Sequence, residues 1–228
     1  YDYQCDFEII DAPHDCDWTR WAMLAENGTD AYRLYCFKQN TVDTIYQFCF
    51  DDSKDAYVYG HNSIPELTLE GKPPTANTYT FSMLHDGEDY RMYFLDVNDL
   101  TLLHQMVYDN GRYVVEASNP TIRVTGLPEQ ADLCRCAMYC AGEDKEPVYY
   151  FCVGIQGHQG SFIRTRYDEE VNEYEELGVF NVDLNRALGG DEALQKAASG
   201  GFGQPVSGLA RQVRRVNTNS FAMAHGQD

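Results

Sequence analysis

The stretch PELTLEGKP at residues 65–73 decides the fold, because it recurs as PTIRVTGLP at residues 120–128. In both stretches proline, two alternating apolar residues, glycine and proline fall at identical offsets. A related stretch, FEIIDAP at residues 7–13, lies near the beginning of the sequence, and a last partial start follows at Phe180. Self-similarity at a period of 20–50 residues or slightly more is typical of tandem structural repeats. The sequence therefore predicts repeated units whose starts are Phe7, Leu67, Ile122 and Phe180.

The match continues downstream of each start. WAML at residues 21–24 corresponds to FSML at 81–84 and CAMY at 136–139, and YRLYCF at 32–37 corresponds to YRMYFL at 90–95. Tyr57, Tyr113 and Tyr174 close the units. We therefore predict a body over residues 1–185. Its units cover approximately 7–65, 66–120 and 121–178, with a closing strand at 179–185 and a separate region from 186 to 228.

Each unit has the residue pattern of β-structure. Val, Ile, Tyr, Phe and Thr recur in short runs that are broken by turn sequences. The clearest is Asp109-Asn110-Gly111, since Asn-Gly adopts the positive φ angles of a type I′ hairpin. Both faces of the run at residues 32–37 are apolar or aromatic, which indicates a strand covered on both sides. We predict an all-β fold of three tandem antiparallel repeats, each with four or five strands, packed face to face in a propeller- or prism-like arrangement.

The charge of the chain limits its partners. It has 228 residues, of which 36 are acidic and 17 basic, for a net charge of −19. Nucleic acids and anionic membranes would repel such a surface, so neither is an expected main partner. No apolar run approaches the roughly 20 residues that span a bilayer. Other protein subunits are the expected partners, with a glycan as the alternative.

The region from 186 to 228 differs in composition from the body. Residues 191–198 predict a short helix, which Ser199-Gly200-Gly201 ends. The Gly-rich remainder carries more basic than acidic residues, so it is either a disordered terminus or an arm that orders on a partner. The candidate partner-binding residues of this tail are Leu209, Arg211, Val213, Arg214, Arg215 and Val216.

Eight cysteines and a first residue, Tyr1, that is not Met favour a processed protein in an oxidising compartment. We therefore expect a secreted, lumenal or cell-surface location. Cys36 with Cys49 and Cys5 with Cys16 are local disulfide candidates. Cys134, Cys136, Cys140 and Cys152 allow two disulfides, free buried thiols or a zinc site, although the single residue between Cys134 and Cys136 is poor zinc spacing. The full set of disulfide candidates is Cys5, Cys16, Cys36, Cys49, Cys134, Cys136, Cys140 and Cys152.

Two further sets of residues are candidates for ligand contacts. Asp51, Asp109 and Asp168 recur at one position of the unit, where they allow a calcium-binding loop or simply cap turns. Trp18 falls outside the repeat and is a candidate contact aromatic. Arg33, which lies among tyrosines, predicts a cation–π contact or an anchor to a neighbouring unit.

The sequence contains no nucleophile elbow, P-loop, dinucleotide fingerprint or zinc-protease motif. We therefore predict a non-catalytic assembly or scaffold subunit that docks on partner proteins through its surface and tail, without a cofactor. The alternative is a lectin-like carbohydrate-binding module, with calcium assistance left open. An enzyme is the least favoured class.

Overall fold

The computed structural model describes residues 8–26, 31–85, 88–141 and 148–181, and within these ranges it contains β-strands and no helix. The all-β prediction is confirmed for this part of the chain. No helix long and apolar enough to cross a membrane occurs in it either. The strands are β1 (Glu8–Ile10), β2 (Cys16–Ala25), β3 (Tyr32–Lys38), β4 (Thr44–Asp51), β5 (Ala56–Tyr59), β6 (Glu66–Glu70), β7 (Ser82–His85), β8 (Tyr90–Leu95), β9 (Leu102–Asp109), β10 (Arg112–Val115), β11 (Thr121–Val124), β12 (Ala131–Ala141), β13 (Val148–Ile155), β14 (His158–Asp168) and β15 (Glu173–Asn181).

Twelve of the described strands form antiparallel meanders of four. The first meander is β2–β5, the second is β7–β10 and the third is β12–β15. In each, the tyrosine of the last strand lies opposite an aromatic residue of the third: the pairs are Phe50 and Tyr57, Tyr108 and Tyr113, and Tyr167 and Tyr174.

The strands β1, β6 and β11 connect the meanders. Each pairs in parallel with the last strand of the meander that follows it in sequence. β6 and β11 also pair antiparallel with the third strand of the preceding meander, so that Leu67 lies opposite Ile45 and Ile122 opposite Leu103. All fifteen strands therefore belong to one hydrogen-bonded network.

The expected closing strand at 179–185 differs from the described structure. Residues 179–181 are not a separate strand but the last part of β15. They pair with β14, and Phe180 lies opposite Phe162, in the position that Leu67 holds opposite Ile45. The segment thus starts as the repeat pattern indicated, but no turn separates it from the strand before it. Residues 182–185, the helix at 191–198 and the whole tail lie outside the described residues.

The meanders pack face to face, and each junction has its own apolar core. Tyr35, Phe37 and Ile45 of the first meander pack against Phe81 and Phe94 of the second. Leu84 and Leu95 of the second meander pack against Met138, Phe151 and Val153 of the third. Leu34 and Cys36 point to the other side of β3, into a cluster with Phe48. Both faces of β3 are therefore buried, as its apolar alternation predicted.

The disulfide predictions are wrong for the cysteines that the structure describes. Cys16, Cys36, Cys49, Cys136, Cys140 and Cys152 form no disulfide. The register explains the failure of the Cys36–Cys49 bridge, because Cys36 lies opposite Tyr46 whereas Cys49 lies opposite Arg33. The two cysteines are therefore offset by three residues along the strands. Because this number is odd, their side chains point to opposite faces of the sheet.

The same parity rules out a bridge from Cys152 to the other described cysteines of its cluster. Cys136 and Cys140 face the core between the second and third meanders. Cys152 lies opposite Ala137 on the other face of the sheet. Cys5 and the side chain of Cys134 lie outside the described residues. An oxidising compartment stays a prediction. The described cysteines do not support it, because they form no disulfide.

Candidate functional site

A cavity of about 430 Å³ opens where the first and second meanders meet. This volume lies within the range of small-molecule sites in proteins. Its lining combines three tyrosines, one aliphatic side chain and four other polar or charged side chains that can donate hydrogen bonds. The residues that line it are Arg33, Gln47, Asn62, Ser63, Ile64, Tyr90, Tyr108 and Tyr113.

One wall of the cavity is the segment between β5 and β6, which includes Asn62, Ser63 and Ile64. The buried side chain of Gln47 holds this segment in place. Its backbone N–H donates to the carbonyl of Pro65 at 2.9 Å, and its Nε2 donates to the carbonyl of Ile64 at 3.3 Å. Asn62 has a φ of 49°, a left-handed conformation that asparagine tolerates better than most residues. The wall is therefore fixed by hydrogen bonds from a strand of the first meander.

Arg33 crosses the junction from β3 to the second meander. Its Nε donates to the carboxylate of Glu26, and its Nη2 donates to the hydroxyl of Tyr90 at 3.1 Å. The guanidinium also lies 4.8 Å from the centre of the Tyr90 ring, which adds a cation–π contact. The pKa of Arg33 is raised overall. Burial lowers it, but the interactions with Tyr35 and the Glu26 carboxylate outweigh that effect. The predicted role of Arg33 as an anchor to a neighbouring unit agrees with these contacts.

Three tyrosines, Tyr90, Tyr108 and Tyr113, also line the cavity. The rings of Tyr90 and Tyr108 meet edge to face at 6.0 Å, and those of Tyr108 and Tyr113 meet likewise at 5.7 Å. Burial, together with hydrogen bonding to Glu26, raises the pKa of Tyr90 to about 12. Burial also raises the pKa of Tyr113. These hydroxyls are therefore protonated and neutral at physiological pH, so each can donate as well as accept a hydrogen bond.

Ser63 contributes a polar atom without a partner. Its Oγ is buried and has no hydrogen bond to any residue that the structure describes. A buried hydroxyl left without a partner costs about 1–3 kcal/mol. Ser63 is one of the residues that line the cavity, so a ligand bound there would lie next to this residue.

The junction between the second and third meanders repeats part of this arrangement. Gln105 donates from its backbone N–H to Pro120 at 2.9 Å and from Nε2 to the carbonyl of Asn119 at 3.1 Å, as Gln47 does in the first junction. However, Asn119 and Asn172 exchange hydrogen bonds of 2.7 and 3.0 Å, and Tyr167 donates to Asn172 at 2.8 Å. The polar side chains of Asn119, Asn172 and Tyr167 are bonded to one another here.

The three aspartates of the suggested ion loop each bond within their own turn. Asp51 accepts from the Ser53 hydroxyl at 2.6 Å, a bond that lowers the pKa of its carboxyl. Asp109 pairs with Arg112 at 3.3 Å, and Asp168 accepts from the Glu170 backbone N–H at 2.9 Å. No group of three or more His, Cys, Asp or Glu side chains that could hold a metal occurs among the described residues. The contacts of the three aspartates are those of side chains that cap turns, which was the alternative to an ion-binding loop.

The other candidate residues lie apart from the cavity. Trp18, in an irregular part of β2, is half-buried and its ring packs 5.7 Å from that of Phe48. The tail residues proposed for partner binding lie outside the described residues. Sequence reasoning did not select Ser63, Asn62 or Glu26 for a site, because each belongs to a connection where the repeated pattern is weak.

A buried histidine–aspartate pair lies in the second meander. His104 Nε2 is 2.7 Å from Asp96 Oδ2 and 3.2 Å from Thr75 Oγ1. A catalytic triad needs the nucleophile and the carboxylate at opposite nitrogens of the imidazole. Here Asp96 and Thr75 both contact Nε2 of His104, so the three residues are not arranged as a catalytic triad. Their contacts join the segment before β7 to the β8–β9 connection.

No protein-family model matches the chain, and no curated protein matches it significantly. Solved structures with some likeness include the Aleuria aurantia lectin, described as a six-bladed β-propeller with a novel fucose recognition mode. That lectin is 13% identical over 73% of this chain and 46% of its own, with a TM-score of 0.38. Another is AofleA from Arthrobotrys oligospora, 13% identical over 72% of this chain and 41% of its own, with a TM-score of 0.35. The chain spans less than half the length of these proteins.

Proposed function

We propose that this protein is a non-catalytic, lectin-like carbohydrate-binding module, and that the cavity between the first and second meanders binds a sugar residue. The observation that carries the proposal is the meeting of a tyrosine wall, the Arg33 guanidinium and the unpartnered Ser63 hydroxyl around one open cavity. This function replaces the assembly role as the preferred interpretation. The assembly role stays a prediction, because its tail lies outside the described residues.

The lining suits a sugar because a sugar has two kinds of surface. Its C–H groups form apolar patches that pack on aromatic rings, and its hydroxyls both donate and accept hydrogen bonds. Tyr90, Tyr108 and Tyr113 supply the rings. Arg33, Asn62 and Ser63 supply polar atoms. No carboxylate lines the cavity among the residues that the structure describes, so we expect sugar binding that does not need calcium.

We further propose that the body consists of copies of one β-module in a propeller-like arrangement. The recurring parallel pairs β1–β5, β6–β10 and β11–β15 support this, as do the face-to-face cores at the two junctions. Such an architecture places connections from adjacent modules side by side. Connections that vary in sequence can then form a binding cavity on a constant scaffold.

Binding to methyl glycosides of common hexoses, deoxyhexoses and N-acetylhexosamines tests the proposal, with and without EDTA. We expect one group of these sugars to bind, and Ser63→Ala to weaken that binding about tenfold, because a hydrogen bond in a desolvated site is worth roughly 1.5 kcal/mol. Ser118→Ala is the matched control. Ser118 lies in the corresponding connection, between β10 and β11, and does not line the cavity. Its hydroxyl donates to the Glu116 carboxylate at 2.8 Å.

The proposal fails if no glycoside on the panel binds, or if Ser63→Ala and Ser118→Ala weaken binding equally. Binding that disappears in EDTA would contradict the calcium-independent site. Backbone NMR shifts at Tyr90 and Tyr108 on addition of the sugar would locate the bound ligand in the cavity.

A further inference from the structure

We infer that Glu26 is a specificity-determining residue that makes the cavity select uncharged sugars over anionic ones. The inference rests on the proposed carbohydrate-binding function. The inference concerns which sugars bind in the cavity. It depends on the ion pair by which Glu26 already neutralises the charge of Arg33. Glu26 itself does not line the cavity.

Arg33 is the only cationic side chain that lines this cavity among the described residues. An uncompensated arginine in such a position attracts carboxylates and sulfates, which it binds through two parallel N–H donors. Glu26 occupies the Nε donor of Arg33, and the Tyr90 hydroxyl accepts from Nη2. The donor edge formed by Nε and Nη2 is therefore already bonded to protein groups, and a ligand carboxylate cannot use it bidentately.

The Glu26 carboxylate is also largely withdrawn from water. Its side chain is 12% exposed and that of Arg33 is 23% exposed, so solvent screens the pair less than it screens a surface ion pair. A second anion bound at Arg33 would lie close to the Glu26 charge in a region of reduced dielectric. That repulsion is large enough to discriminate between ligands, whereas the hydroxyls of a neutral sugar do not experience it.

The position of Glu26 follows from the first meander. Glu26 comes directly after the last residue of β2, and Leu24 of that strand lies opposite Arg33 of β3. The Glu26 backbone N–H donates to the carbonyl of Ala31 at 2.9 Å across the hairpin. The strand pairing therefore places the carboxylate beside the guanidinium, and Tyr90 of the second meander completes the contact. The net charge of −19 disfavours anionic ligands as well, but without regard to position.

The test compares sugars that differ only at C6, where a neutral hydroxymethyl group is replaced by a carboxylate, namely methyl glucoside with methyl glucuronide and methyl galactoside with methyl galacturonide. We expect the wild-type protein to bind the neutral member of a pair at least tenfold more tightly than the acidic member. Glu26→Gln keeps the shape of the side chain but removes its charge, and we expect it to reduce this preference at least tenfold. The double variant with Arg33→Gln should lose the gained uronide binding.

Glu66→Gln is the matched control, because it changes the net charge of the chain equally. Glu66 pairs with Lys38 at 3.4 Å and does not line the cavity. We expect it to leave the neutral-to-acidic ratio unchanged. A ratio near one in the wild type, or an equal shift in both variants, would overturn the inference. A loss of affinity in Glu26→Gln at constant ratio would show that Glu26 only supports the fold, which also overturns it.

Inorganic sulfate separates this inference from the proposed function. If no neutral sugar binds the wild type, the proposed function fails. Glu26→Gln should still bind sulfate at Arg33, seen as a shift of the Arg33 Nε–H resonance, while the wild type and Glu66→Gln should not. Absence of that shift counts against the role of Glu26. If Glu26→Gln does not fold, Glu26→Ala provides the same comparison, and the wild-type ratio alone already decides whether anions are disfavoured.

Discussion

At the scale of the single residue, Arg20 shows how one buried charge joins the first meander to the connection between β6 and β7. Its side chain is 6% exposed, and its Nε donates to Asp17 at 2.7 Å. Nη1 donates to the carbonyl of Thr41 at 2.9 Å and to the hydroxyl of Thr78 at 3.3 Å, and Nη2 donates to the carbonyl of Lys38 at 3.2 Å. The hydrogen bonds and the ion pair offset much of the free-energy cost of removing the guanidinium from water. Replacing Arg20 by an uncharged residue would break all of these contacts.

We therefore expect Arg20→Met to lower the free energy of unfolding by about 3 kcal/mol, because it leaves the Asp17 carboxylate without its cationic partner and removes the Arg20 donor to the Thr41 carbonyl. Urea denaturation followed by tryptophan fluorescence measures this loss. Arg112→Met is the control, since Arg112 pairs with the carboxylates of Glu70 and Asp109 but its side chain is 45% exposed. Its loss should be much smaller. Equal losses in the two variants would contradict a special role for the buried guanidinium.

At the scale of the strand and hairpin, the turn between β9 and β10 illustrates local coding. Asn110 and Gly111 have φ values of 47° and 93°, as the Asn-Gly dipeptide predicted for a hairpin turn. The turn also touches the candidate site. A Cβ built on Gly111 would lie 2.9 Å from Cδ1 of Ile64, which lines the cavity.

Gly111→Ala should therefore have two effects. The positive φ costs about 1 kcal/mol of stability for a residue with a Cβ. The contact with Ile64 moves that flexible side chain and should weaken sugar binding beyond what the stability loss explains. Gly157→Ala is the matched control, because Gly157 has a φ of 76° and no atom within 4 Å of the added Cβ. Thermal unfolding and sugar titration of both variants separate the effects, and unchanged sugar affinity in Gly111→Ala would refute the coupling.

The cysteines show what residue spacing does and does not predict for an element. Cys36 and Cys49 were correctly placed on consecutive strands, but their pairing depends on the register. A shift of one residue reverses the face on which a side chain lies. The register between β3 and β4 places Cys36 and Cys49 on opposite faces. Local sequence therefore predicted the strands, and the long-range hydrogen-bond alignment decided against the bridge.

At the scale of the whole molecule, the meanders are coupled by strands that belong to two of them. β6 pairs with β4 of the first meander and with β10 of the second. Phe37 of the first meander adds a ring contact across the same junction, at 5.1 Å from Phe81 of the second. Loss of either meander would leave hydrogen-bonding groups and apolar surface of the other exposed to water. Such coupling is typical of a fold that unfolds in one cooperative step.

We expect Phe37→Ala to reduce stability by about 3–5 kcal/mol while unfolding stays a single transition. The ring is fully buried at the junction, so its removal leaves a cavity between the two meanders. Phe50→Ala, at a half-buried phenylalanine packed 5.2 Å from Tyr57, should cost only about 1–2 kcal/mol. Calorimetry checks the prediction, and a second resolved transition in Phe37→Ala would show that the meanders unfold independently.

The sequence by itself determined the β class and many of the residues that alternate into the cores. These features depend on local chemistry, namely the period of two along a strand, the turn preferences of Asn and Gly, and the recurrence of the pattern. The tertiary structure alone decided which connections meet at a junction. It brought Ser63 of one meander's exit beside Tyr90 and Tyr108 of the next, and it bonded Glu26 to Arg33. Hydrogen bonds and charge pairs of this kind act between residues distant in sequence, so their geometry exists only once the meanders have packed.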